Sequence, residues 1–226
     1  MTYFDARALP LPCNEYVAWV DVMGIQSHMH RSIHVAANFM FKLHVAALDS
    51  PLKGVRLYPV MDGFYATSPS RQGLEQFLSS VFRQCASAFV GEVKQQFRFV
   101  IRGAIAFGSV YHGADVEDSG SKRLAETPGY RASLVLGPPI VDANLTESDA
   151  PPFGIAIHHS AKLSAPVGDV PYTTDWWPWV DAAFDRVSFC RELKAYYAWC
   201  QANAAAIRYD VRRSLYHEYL GLKYFA

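Results

Sequence analysis

Two carboxylates stand out by where they sit. Asp21 closes the apolar run Val17-Ala18-Trp19-Val20, and Asp62 falls between the runs "VRLYPV" and "GFYATS". Each has a glycine close by, in "DVMGI" and "MDGFYA". An ionised carboxylate at the end of a buried strand needs a partner, because desolvating it alone is costly. If the two strand ends are neighbours in one sheet, the carboxylates repel unless a proton or a cation lies between them. Hard divalent ions such as Mg²⁺ or Mn²⁺ prefer such oxygen ligands, so the pair suggests a two-metal site.

The turn Val22-Met23-Gly24-Ile25 leads into a helix, so its amides and the helix's positive end can cradle phosphate oxygens. Arg102, embedded in the apolar stretch "FVIRGAIAF", can supply the bidentate charge that a triphosphate needs. Singly, each has a plainer reading. Asp21 can cap a helix, Asp62 can be a turn residue, and Arg102 can form a structural ion pair. Their joint placement at successive strand ends points to phosphoryl chemistry.

The elements that must position these groups follow from periodicity. Residues 15–21 read as a strand, and Gln26 to Leu48 recur apolar at helical spacing. "VRLYPVMDGFYATSP" reads as a hairpin around Met61-Asp62-Gly63, since Asp-Gly favours tight turns. From a Ser70 cap, Leu74 to Val93 form a second amphipathic helix, followed by the strand around Arg102. Residues 113–131 read as a mobile surface loop. "LGPPIVDANL" reads as a turn and short helix, and "FGIAIHHSA" as another strand. "SAPVGDVPYTTDWWPWVD" reads as irregular packing, and Arg191 to Tyr219 as one long C-terminal helix that could form an oligomer contact. The order suits an α+β fold with helices on one face of a sheet.

Composition narrows the function. The chain has 226 residues, is 51% apolar, and balances 21 Lys and Arg against 21 Asp and Glu, so no basic surface advertises nucleic acid. The cysteines Cys13, Cys85, Cys190 and Cys200 show no C-x-x-C spacing, and the N-terminus lacks a signal-peptide layout, which points to the cytoplasm. "NFMFKLHVAAL" is interrupted by Lys42 and His44, so no membrane span is expected. His30 and His34 lie one turn apart, but no glutamate accompanies them as in H-E-x-x-H, which argues against zinc there. "HGADVEDSGSKR" lacks P-loop spacing.

Residues 15–160 resemble the catalytic domain of class III nucleotidyl cyclases. "VDVMGIQSHM" is similar to the family's first strand and metal-binding turn, "VRLYPVMDGFYA" to the hairpin with its second metal aspartate, and "IRGAIAFGSVYHG" to its Arg-x-Gly-x-x-x-Gly strand, with Ala104 in place of the first glycine. The resemblance implies a ferredoxin-like βαββαβ core. It implies Asp21 and Asp62 as ligands of two divalent ions, the Val22 carbonyl completing one site, and Arg102 binding the phosphate tail. It also implies attack of a ribose 3′-hydroxyl on the α-phosphorus of a nucleoside triphosphate in a head-to-tail homodimer with shared sites.

Where purine cyclases carry a base-reading side chain this chain has Tyr58, and where they carry a transition-state Asn and Arg it has Val141 and Leu145, with Asp142 and Asn144 nearby. These departures look like the pyrimidine cyclases of bacterial anti-phage (Pycsar) signalling and imply UTP, or else CTP, as substrate. The rival expectation is a degenerate domain that binds nucleotide or a partner without turnover. The catalytic domain is expected over residues 15–165, and residues 166–226 as an irregular and helical extension packed on it.

Overall fold

The computed structural model describes residues 9–116 and 122–226. Its sheet contains β1 (Cys13–Val22), β2 (Arg56–Val60), β3 (Gly63–Ser68), β4 (Ile101–His112), β5 (Val135–Leu136) and β6 (Ile155–Ile157). The strand order is β2-β3-β1-β4-β5, and β6 pairs with β4 in parallel. β1 is the central strand, antiparallel to both β3 and β4. The helices are α1 (Ile25–Arg31), α2 (Ile33–Leu48), α3 (Arg71–Gly91), α4 (Lys122–Ala125), α5 (Pro128–Ala132), α6 (Pro138–Thr146), α7 (His159–Leu163), α8 (Arg186–Ala202), α9 (Ala204–Ile207) and α10 (Val211–Phe225). From β1 to β4 the order is the expected βαββαβ-type α+β core, and none of the helices described is long and apolar enough to cross a membrane.

Alternation along β1 sets the layers. Tyr16, Ala18, Val20 and Val22 join Phe39 and Leu43 of α2 and Phe77 and Phe82 of α3 in the main core. Val17 and Trp19 point the other way and pack with Ala106, Val110 and Ala143 of α6. The helices are therefore not confined to one face, because a strand apolar on both alternations needs cover on both.

The helix expected from Gln26 to Leu48 is broken at Ser32. That residue is extended (φ −158°, ψ 106°), its N–H closes α1 on the His28 carbonyl, and its hydroxyl accepts from the Val35 N–H to start α2. The Ser70 cap on α3 is as expected, with its hydroxyl accepting from Gly73 N–H. Within 113–131 the described residues form a 3₁₀ turn, α4 and α5 rather than a loop, and residues 117–121 of that segment lie outside the described residues.

The C-terminal helical segment doubles back on itself. Instead of one helix over Arg191–Tyr219, α8 and α10 pack against each other across α9, with Arg208 left-handed (φ 51°) and Asp210 capping α10 by accepting from Arg213 N–H at 2.8 Å. Phe189, Leu193 and Tyr197 of α8 and Phe225 of α10 are buried in the same cluster as Phe89 and Phe153. The Trp-rich stretch before α8 forms no helix; a single antiparallel bridge joins Trp176 to Ala156 of β6, and Trp179 Nε1–H donates to the Phe153 carbonyl.

Candidate active site

Asp21 is paired in register with Gly63 on one side and Arg102 on the other. The two-residue turn Met61-Asp62 carries Asp62 to the same end of β1, where Val22 N–H donates to the Asp62 carbonyl at 3.2 Å. Met61 takes φ 34° in this turn. Position 63 has to be glycine, because a Cβ there would lie 2.3 Å from the Val20 carbonyl oxygen and 2.8 Å from the Trp19 ring. This close approach brings Asp62 beside Asp21.

The Asp21 carboxyl is largely buried, and its Oδ1 has no hydrogen-bond partner among the described residues. Burial pushes its pKa from 3.8 up to about 6; the neighbouring Arg102 charge pulls it down and Asp62 pushes it up. An orphaned oxygen beside a second carboxylate is the donor set a hard divalent cation takes, so the residues present fit Mg²⁺ or Mn²⁺. Arg102 itself is engaged: its Nη2 donates to Glu147 Oε2 at 3.0 Å, and its Nη1 approaches the Ser148 carbonyl at 3.4 Å.

Arg102 also lines a cavity of about 260 Å³ between the turn at Met23 and Gly24 and the C-terminal helices, which add Arg208, Arg213 and His217. His217 is pushed down to about 4, chiefly by burial and then by Arg102 and Arg213, so it is neutral at pH 7 and the arginines carry the charge. Arg208 and Arg213 are exposed at the mouth. Sequence reasoning missed them, along with Glu147, because nothing in the local sequence ties α10 to the β1 turn. The concentration of arginine in 208–213 was the one available signal.

The remaining expected residues fall differently. Met23 N–H is spent on the Val100 carbonyl at 2.8 Å, Ile25 is a core side chain, and α1 has only seven residues, so the turn offers a weaker anion cradle than a long helix would. Gly24, with φ 71°, forms the turn and lines the cavity. Tyr58 lies in the Tyr65–Trp19 row, one row along the face from Asp21. It is 4% exposed, with its hydroxyl 2.5 Å from His112 Nδ1. On α6, Asp142 faces His158 at 3.6 Å, and Asn144 lies beside the Tyr65 hydroxyl. Val141 and Leu145 are 57% and 69% exposed. His30 and His34 are separated by the Ser32 break.

The mixed αβ layering around an antiparallel sheet is that of the nucleotidyl cyclase fold. Two solved structures carry that comparison. The monomeric guanylyl cyclase domain of the RhoGC fusion protein from the aquatic fungus Blastocladiella emersonii aligns at 15% identity over 67% of this chain and 84% of its own, with a TM-score of 0.51. A double mutant of the same domain aligns at 14% identity over 67% and 82%, also at 0.51. At such identity the likeness is one of fold. No family model matches the chain, and a search of the curated proteins finds no match.

Proposed function

We propose that this chain is a nucleotide cyclase that converts a pyrimidine nucleoside triphosphate, UTP before CTP, to its 3′,5′-cyclic nucleotide and pyrophosphate. The observation that carries the reading is the unpartnered Asp21 Oδ1, set beside Asp62 and adjoining a cleft lined by Arg102, Arg208 and Arg213. Asp21 and Asp62, with the Val22 carbonyl, would hold two divalent ions. When bound, such ions lower the pKa of an attacking hydroxyl and neutralise a leaving pyrophosphate. The chain's own part is to orient the triphosphate. Arg213 and Arg208 bind its tail from the C-terminal helices, Gly24 lets the backbone approach it closely, and Arg102, held by Glu147, sets the edge of the cleft beside Asp21.

Tyr58 supports the pyrimidine preference. It stands where the resembling purine enzymes carry a base-reading lysine, and its hydroxyl is already taken by His112, so it acts by filling volume rather than by reading the base edge. Asp142 and Asn144 are the polar groups of α6 available for the ribose or transition state. The working unit is a head-to-tail homodimer with shared sites, and the exposed Leu136, Val141 and Leu145 supply apolar surface for the contact. The role in anti-phage signalling rests on the resemblance alone.

One observation favours a second reading. Exposed Val141 and Leu145 replace the family's Asn and Arg, as in a domain that binds nucleotide without turnover. Incubating the protein with each of the four nucleoside triphosphates and Mn²⁺, with products identified by mass, separates the two. Cyclic UMP or cyclic CMP with pyrophosphate supports the enzyme; saturable UTP binding with no pyrophosphate release supports the binder.

A further inference from the structure

At the far end of β1 from Asp21 lies a second cluster of metal-ligating side chains. Cys13 and Glu15 project from the same face of β1, and His112 from the end of β4, whose residue Val110 pairs with Cys13. One ligand atom from each of the three lies within 4.8 Å of the others. Cys13 Sγ is 3.3 Å from Glu15 Oε1, and Glu15 Oε2 is 3.2 Å from His112 Nε2. Glu15 and His112 are 5% and 1% exposed, whereas Cys13 opens to solvent. Neither Glu15 Oε2 nor His112 Nε2 makes a well-aligned hydrogen bond among the described residues, although both are buried.

We infer that Cys13, Glu15 and His112 form a site for a thiophilic divalent cation of the zinc type, distinct from the Asp21–Asp62 site. The donor set carries the choice of metal. A thiolate, an imidazole nitrogen and one carboxylate oxygen suit Zn²⁺ or Co²⁺, while Mg²⁺ and Mn²⁺ favour all-oxygen sites. Three protein ligands leave a fourth position, and the exposed Cys13 side gives solvent access to it. Tyr58 completes the design from behind. With its oxygen 2.5 Å from His112 Nδ1, it can accept Nδ1–H and so leave the Nε2 lone pair facing the cluster, the arrangement in which a second group fixes the tautomer of a metal-bound histidine.

Metal binding takes the Nε2 lone pair of a neutral imidazole, so the ring proton then sits on Nδ1 against the Tyr58 oxygen, and the Cys13 thiol proton is released to solvent. The site pins the start of β1 to the end of β4. It does not depend on any cyclase activity.

The test uses the whole chain stripped of metal by chelator. Titration with Co²⁺ is expected to reach one equivalent with a thiolate-to-cobalt charge-transfer band, which Zn²⁺ bleaches and a large excess of Mg²⁺ does not. The band is expected to vanish in Cys13→Ser and to persist in Asp21→Asn. No charge-transfer band in the native chain, or a band that persists in Cys13→Ser, overturns the assignment. Should Cys13→Ser fail to fold, the native chain still decides: Zn²⁺ is expected to slow alkylation of Cys13, followed by peptide mass, roughly tenfold or more. Unchanged alkylation with saturating Zn²⁺ rejects the site.

Discussion

Asp21 and Arg102 face each other across the β1–β4 ladder, yet the guanidinium hydrogen-bonds Glu147 and leaves Asp21 Oδ1 without a partner among the described residues. The charge nearest to the aspartate is thus turned to another carboxylate. What remains is a carboxyl held up by burial and by Asp62, ready for a cation.

That relationship sets a pH dependence in the metal-free protein. The folded Asp21 titrates near 6 and the unfolded group at its ordinary 3.8, so folding resists its ionisation. Stability should therefore fall as pH rises from about 4 to about 6 and level off above. In Asp21→Asn this decline should be lost, leaving the metal-free variant about 3 kcal/mol more stable than the native chain at pH 7, with cyclisation abolished. Urea unfolding in chelator between pH 4 and 8 is the measurement, and a native chain whose stability is flat across this window would contradict the burial of an unpaired carboxylate.

Glu147→Gln should have two effects. Removing the charge from a buried pair destabilises by about 3 kcal/mol, read as a lower Tm. It also releases Arg102 to turn toward Asp21, so Mn²⁺ affinity measured by paramagnetic resonance should drop. Unchanged Mn²⁺ binding in a folded variant would show that Arg102 does not compete for Asp21.

Arg213→Ala should raise the KM for the triphosphate roughly tenfold, with kcat less affected, since one charge-assisted contact to phosphate is worth about 1.4 kcal/mol. Arg208→Ala should act in the same direction, and both effects should shrink at high salt as screening rises. Equal kinetics in the double variant would remove the C-terminal helices from the substrate site.

Tyr58→Phe should keep the pyrimidine preference, because the hydroxyl faces His112, while Tyr58→Ala should narrow the gap between UTP and ATP by opening volume. Competition kinetics with all four triphosphates measure both. Loss of preference in Tyr58→Phe would assign base reading to the hydroxyl after all.

Mixing Asp21→Asn with Tyr58→Ala chains should give more UTP turnover than the inactive Asp21→Asn and the weakened Tyr58→Ala chains account for separately, since in a shared-site dimer both lesions can fall in one site and leave the other intact. Specific activity that does not change on dilution to monomer would count against the shared site.

The local parts of this protein could be read from short stretches of residues. The alternating run ending at Asp21, the Asp-Gly turn at Asp62, the Ser70 cap and the Arg102 strand were legible because each is specified by neighbours a few residues apart, through period, turn chemistry and capping. Contacts between distant segments emerge only in the folded chain. Ser32 breaks a continuous apolar pattern because its hydroxyl is used on Val35 N–H, and α8 and α10 fold back so that Phe189 and Phe225 both reach Phe153 and its core. Only that fold-back carries Arg208 and Arg213 to the turn at Gly24, and only the register of β1 with β4 sets His112 against Glu15 and Tyr58. Such meetings depend on long-range burial and strand pairing, whose partners lie as many as 189 residues apart between Gly24 and Arg213, and no local periodicity encodes them.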